Sequence, residues 1–137
     1  MENLDNKEVG GIGELMFSTE ALKRGFIVSK PLIDTRKYDL VLDNRQGRLI
    51  RVQVKTTVVN PDAREGSFKF NIGHGRTGKK TYTNDNIDFL ACYALHENTF
   101  FIIPVAAVRG QVTVRINSNN PDSKFLRYKE AWDLLFV

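Results

Sequence analysis

Two apolar runs separated by a short polar turn constrain this chain more than any other feature. Tyr38-Asp39-Leu40-Val41-Leu42-Asp43 leads into Asn44-Arg45-Gln46-Gly47, and Arg48-Leu49-Ile50-Arg51-Val52-Gln53-Val54-Lys55-Thr56-Thr57 follows. Runs rich in Val, Ile, Leu and Tyr flanking a polar turn that ends in glycine form a β-hairpin. A three-residue loop over Arg45-Gln46-Gly47, with Gly47 left-handed, sets Asn44 against Arg48 and, counting back, Asp39 against Gln53. That register puts Asp39, Gln53 and Lys55 on one face, whereas a two-residue loop at Arg45 or Gln46 has the other parity and leaves the alternative open. An Asp, a Gln and a Lys on an otherwise apolar sheet are costly to bury unless they bind something, and a divalent cation with a phosphate satisfies all three.

Upstream, Asp5 caps a helix whose third position is Glu8, the reciprocal arrangement of a capping box, and Gly25 closes that helix after Lys23 and Arg24. Val9, Ile12, Met16 and Leu22 or Thr19 fall roughly on one stripe. Glycines 10, 11 and 13 each cost such a helix ~1 kcal/mol against alanine, so a close backbone approach is expected there, either to the sheet or to a nucleic-acid backbone. Glu14 beside them reads as a solvated helix residue unless Asp39 comes near. Phe26 to Ser29 is a short strand ended by Pro31, and the loop through Asp34 and Arg36 delivers those residues to the hairpin.

Ser67 to Ile72 alternates as a fourth strand, with Lys69 exposed between two buried aromatics. Gly73-His74-Gly75-Arg76-Thr77-Gly78-Lys79-Lys80 matches a phosphate-binding P-loop up to its final residue, but Lys80 stands where Ser or Thr must hold magnesium and no apolar helix follows. A basic loop touching nucleic-acid phosphates, or a solvated loop, fits better. Phe89 to Leu95 is apolar on both faces and reads as a central strand, with Thr99 to Pro104 its antiparallel partner and Cys92 inert within it. His96 and His74 lack ligand spacing. Gln111 to Ile116 alternates as an edge strand, and Tyr128 to Phe136 winds as a short helix with Ala131, Trp132, Leu135 and Phe136 on one side.

At 137 residues the chain is expected to form one domain, 1–137, around a single core. The lone cysteine excludes an intramolecular disulfide framework and cysteine-cluster zinc sites. No apolar run approaches a membrane span and no basic-then-apolar leader opens the chain, so the expected location is cytoplasmic. A formal charge of +4 and a pI near 9.3 favour an anionic partner.

A helical Glu14, then Asp39 opening a strand, then Gln53-Val54-Lys55 resembles the PD-(D/E)xK nuclease core, in which an acidic residue stands two before a Lys. Gln53 occupies the acidic position, and Tyr38 stands where the signature has Pro. The Val52-Gln53-Val54-Lys55-Thr56 string, with Tyr82-Thr83, Asp88-Phe89 and Tyr93, resembles the small group I intron homing endonucleases of that superfamily. Archaeal Holliday junction resolvases are the next closest shape. The resemblance covers about residues 8 to 105 and implies an α/β fold: a restriction-endonuclease-like mixed β-sheet flanked by helices.

It also implies a magnesium-dependent endonuclease acting on double-stranded DNA, with manganese able to substitute. In that reading Asp39 is the principal metal ligand, Glu14 an outer-sphere ligand or a ligand to a second metal, Gln53 a neutral ligand through its side-chain oxygen, and Val54 a ligand through its carbonyl. Lys55 orients the attacking water and stabilises charge on the phosphate. Arg36, Lys37, Arg76, Lys79 and Lys80 are the expected DNA contacts. Cutting both strands needs two sites, so a homodimer or homotetramer is expected. The alternatives are a junction resolvase, or a DNA-binding module of the same fold in which Gln53 marks lost catalysis.

Overall fold

Glycine at the hairpin turn fixes the centre of the architecture. In the computed structural model, which describes residues 3–34, 37–58 and 66–137, Gly47 has φ +92° and Arg45 φ +59°. The three-residue loop places Asn44 against Arg48, the Asn44 N–H donating to the Arg48 carbonyl at 3.1 Å. β2 (Leu40–Asp43) and β3 (Leu49–Thr57) therefore pair antiparallel with Leu40 opposite Val52 and Leu42 opposite Ile50, the parity expected from Gly47. Asn44, almost fully buried, anchors the turn: its Oδ1 accepts the N–H groups of Gln46 and Arg48, and its Nδ2 donates to the Leu135 carbonyl.

β1 (Ile27–Ser29) adds to the outer edge of β2, and β3 pairs in parallel on its other side with β5 (Phe89–Ala94), which pairs antiparallel with β6 (Thr99–Pro104). The result is a mixed five-stranded sheet in the order β1-β2-β3-β5-β6. Every residue of β5 is buried, as a strand covered on both faces requires. The fourth strand departs from expectation. β4 (Ser67–Asn71) does not join this sheet but pairs antiparallel with β7 (Thr113–Asn117) in a separate two-stranded ribbon.

Each face of the large sheet has its own core. On one lies α1 (Asn6–Lys23), capped by Asp5 and Glu8 as the sequence predicts. Its buried stripe, however, is Gly13, Phe17 and Ala21, while Leu22 and Thr19 are exposed. The face turns by one position because Gly13 can approach closest: a Cβ there would run into the Thr56 hydroxyl. Phe17 then stacks on Trp132 at 5.1 Å and meets Phe100 edge-on at 5.7 Å, and burying such a ring stabilises the fold by roughly 1.5–3 kcal/mol. The other face is covered by the ribbon, through Phe68, Phe70, Val114 and Ile116 packed against Leu90, Cys92 and Phe101. The two layers are thus one helix on one side and a β-ribbon on the other.

The expected helix over Tyr128 to Phe136 is replaced by two 3-10 turns, Leu126–Tyr128 and Trp132–Phe136. Between them Glu130 has φ +49° and its N–H donates to the Phe100 carbonyl, while its carboxylate accepts the Phe100 N–H and the Trp132 indole N–H. Capping the β6 edge in this way breaks the helix. Leu135 is buried, and Phe136 stacks on Phe26 at 4.4 Å. Among the described residues no helix is long and apolar enough to cross a membrane.

Candidate active site

The β2–β3 ladder stops at Leu40 and Val52, and what happens one residue earlier makes the site. The Asp39 N–H still donates to the Val52 carbonyl at 2.9 Å, but the strands then part, and the Asp39 carboxylate accepts the Val54 N–H at 2.8 Å in place of a main-chain partner. The register places Asp39 against Gln53 as expected, yet this turns its carboxylate to the edge of β3. A strand residue presents its N–H and C=O to the same side. Past the end of β2, the Val54 carbonyl therefore faces the fork where Asp39 sits.

α1 reaches the same fork. Gly13 seats the helix against Thr56, and the next residue, Glu14, lines a cleft of about 520 Å³ with Asp39, Asp34, Lys30 and the open faces of Gly10 and Gly11. Only one of the three glycines is explained by packing. Gly13 serves packing, whereas Cβ atoms at Gly10 and Gly11 would meet nothing within 4 Å.

The electrostatics of the two carboxylates are those of an anionic pair short of positive charge. Burial raises the Glu14 carboxyl above its ordinary range, and the Asp39 and Asp34 charges add to it. Lys30, its Nζ 3.7 Å from Glu14 Oε1, offsets this in part. Burial also raises Asp39, against the lowering effects of the Val54 N–H, Lys55 and Lys30. Among the described residues no three His, Cys, Asp or Glu side chains gather as a metal cluster; a cation held by Glu14 and Asp39 would have two carboxylates, with neutral oxygens completing its protein ligands. That donor set fits magnesium, which takes one or two carboxylates and keeps waters or substrate oxygens for the rest.

Lys55 and Gln53 belong to the opposite face of β3 from Thr56, beside Cys92 and Leu90 of β5. Neither lines the cleft of Glu14 and Asp39 at the edge of β3, so that cleft does not gather all four of the expected groups. Lys55 reaches that edge electrostatically, lowering the Asp39 carboxyl, and its ammonium lies 5.8 Å from the Tyr82 ring centroid. Tyr82 is buried, and burial followed by the Asp39 charge pushes its hydroxyl up to about 12. Cys92 is wholly buried with its thiol also pushed up to about 12 by burial, an inert core residue.

Two contributors to this neighbourhood escaped the sequence analysis. His74, expected to stand alone in a loop, lies tilted against the Tyr82 ring with centroids 4.3 Å apart and Nε2 3.2 Å from the Thr81 carbonyl. Its distance from Tyr82 along the chain hides the contact. Lys30 partners Glu14, and its only sequence signal is its place between a strand and Pro31.

The expected nucleic-acid contacts divide as follows. Arg36 lies outside the described residues. Lys37 is exposed just before Tyr38. Arg76, Lys79 and Lys80 sit on an exposed loop pinched shut by His74 and Lys80, which exchange main-chain hydrogen bonds of 2.9 and 3.1 Å. No helix follows that loop, so the partial P-loop spacing has no P-loop structure around it. Asp88 braces the far side of the hairpin, accepting from the Arg51 main chain at 2.8 Å and from its guanidinium at 3.2 Å.

The comparisons with known proteins point the same way. No curated protein matches the chain. The solved structure of I-Ssp6803I, described as a bacterial homing endonuclease, is similar with a TM-score of 0.76 and 28% sequence identity over 96% of this chain and 91% of that one. The PD-(D/E)XK endonuclease family profile matches residues 4–135. With nearly its whole length matched, this chain belongs to the PD-(D/E)XK endonuclease family, a family of nucleases acting on DNA.

Proposed function

We propose that this protein, as a single nuclease domain over residues 1–137, is a magnesium-dependent endonuclease. It would hydrolyse phosphodiester bonds in double-stranded DNA at a defined site, as the homing endonuclease it resembles is named for doing. The observation that carries the reading is the convergence of Glu14 and Asp39 on one cleft at the β2–β3 fork, with the Lys55 charge acting on Asp39.

Asp39 and Glu14 would hold the cation, with the Val54 carbonyl as a neutral ligand at the same fork; the Gln53 side-chain oxygen, outside their cleft, would have to reach the ion around the edge of β3. Bound there, it supplies charge neutralisation at the scissile phosphate and a more acidic water. The rest falls to the protein. The Val54 N–H fixes the rotamer of Asp39. Lys55, held beside the Tyr82 ring, donates hydrogen bonds to the attacking water and to the phosphate oxygen on which charge develops. Gln53 in an acidic position removes one negative charge, so magnesium affinity is lower than with Glu there. Lys37, Arg76, Lys79 and Lys80 would meet DNA phosphates, with Arg36 in the same role. A homodimer or homotetramer would cut both strands, and a cytoplasmic location accords with a DNA substrate.

Cleavage mapping on a random duplex library, with and without magnesium and alongside a four-way junction, tests this. Magnesium-dependent cutting of duplexes at a recurring sequence supports it. Preference for the junction regardless of sequence makes it a resolvase, and binding without cutting in either magnesium or manganese makes it an inactive module.

A further inference from the structure

The β4–β7 ribbon carries a second surface that the cleavage chemistry does not use. Its inward side chains form the core against β5 and β6, while the outward ones are Ser67, Lys69 and Asn71 on β4 and Thr113, Arg115 and Asn117 on β7. All six are polar and none is acidic. Lys69 lies directly opposite Arg115, and both are exposed. Directly opposed like charges disfavour strand pairing, so this pair weakens the ribbon unless an anion lies against it.

We propose that the outward face of this ribbon enters the major groove of duplex DNA and reads base pairs; this rests on the nuclease reading above. A two-stranded ribbon with strands ~4.8 Å apart fits a groove about 12 Å wide. From Ser67 to Asn71 the outward positions span roughly 13 Å, about four base pairs at 3.4 Å each. The chemistry is that of base edges: Arg115 pairs bidentately with guanine, Asn71 with adenine, and Lys69 donates to guanine or to a flanking phosphate. Asn117 is not a reader, because its Oδ1 already accepts the Asn119 N–H.

Position supports the assignment as well as composition. β4 runs directly into the basic loop, with the Ile72 and Gly73 N–H groups both donating to the Val112 carbonyl at 2.9 and 3.2 Å. Gly73 has no room for a Cβ, which would run into the Gly78 carbonyl. That loop is tied through His74 and Tyr82 to Lys55. Base-reading ribbon, phosphate-contacting loop and active-site lysine therefore lie in sequence on one side of the large sheet.

The test is enrichment of a randomised duplex library by the full-length protein in chelator, so that binding is read separately from cutting. Wild-type protein should enrich a motif. Asn71→Ala/Arg115→Ala should lose roughly 10- to 100-fold of the preference at each read position within a block of about four base pairs, leaving the rest of the motif unchanged. Arg115→Lys, which keeps charge and strand but not the bidentate fork, should reduce the guanine preference at that position while holding the salt dependence of binding. No motif for the wild type, an unchanged motif in the variants, or an even weakening at every position overturns the proposal. Enrichment without cutting in any divalent cation leaves the ribbon assignment standing and removes the nuclease one.

Discussion

Asp39 has two separable roles, and replacing it by Asn and by Ala distinguishes them. Its Oδ2 accepts the Val54 N–H at 2.8 Å at the point where β2 no longer supplies a partner. Asn retains an acceptor oxygen in the same place, whereas Ala leaves that N–H unpaired, at a cost of roughly 1–3 kcal/mol and toward the lower end because the cleft admits water. The charge acts in the other direction. Burial raises the Asp39 carboxyl in the folded protein, so its ionisation at neutral pH works against folding when no cation is bound. Asp39→Asn should therefore be at least as stable as the wild type in urea unfolding with chelator present, and Asp39→Ala measurably less stable than Asn. Both should lose DNA cleavage by on the order of 100-fold or more. Equal stability of the two variants would refute the structural role of the Val54 bond. Cleavage by Asp39→Asn within a few-fold of wild type would refute the role of the charge.

Other consequences follow from the same geometry. Gly13→Ala should destabilise by ~1–3 kcal/mol through overpacking against Thr56, whereas Gly10→Ala and Gly11→Ala, with open space at the added Cβ, should gain ~1 kcal/mol each by thermal unfolding. Because folded Glu14 and Asp39 are both raised, their contribution to cation-free stability is present at acid pH and lost as pH rises through their folded pKa values. Asp88 has the opposite sign. Burial alone would raise it, but its hydrogen bonds from Arg51 bring it below the ordinary range, so its contribution is lost as pH falls. Asp88→Asn should therefore flatten the loss of stability as pH falls, and Glu14→Gln the loss of cation-free stability as pH rises through the folded pKa of Glu14. Tyr82→Phe should keep near-wild-type cleavage because the ring that holds Lys55 remains, while Tyr82→Leu should cut more slowly with unchanged DNA binding.

The hairpin was legible because Gly47 admits a left-handed turn that few other residues tolerate, and once that turn is fixed the pairing of Leu40 with Val52 follows by counting. β5 was legible from its unbroken apolar run. The parallel pairing of β3 with β5 was not, because nothing local joins strands about 30 residues apart. The ribbon partners β4 and β7 are farther apart still in sequence. The short helix expected after Tyr128 failed where a tertiary demand overrode periodicity: Glu130 adopts a left-handed conformation to cover the β6 edge. Around the site, the hairpin register named Asp39, Gln53 and Lys55, and the family resemblance added Glu14. Neither could show that the Asp39 carboxylate turns to the edge of β3, since a side-chain hydrogen bond to Val54 leaves no trace in a register.

The claim beneath all of this is that Glu14 and Asp39 together form one cation site. Titrating manganese into the DNA-free protein, followed by the loss of the free-ion electron paramagnetic resonance signal, measures it without any catalytic step. The account predicts saturable binding that is lost or weakened severalfold in both Glu14→Gln and Asp39→Asn. Unchanged manganese affinity in either variant would contradict it.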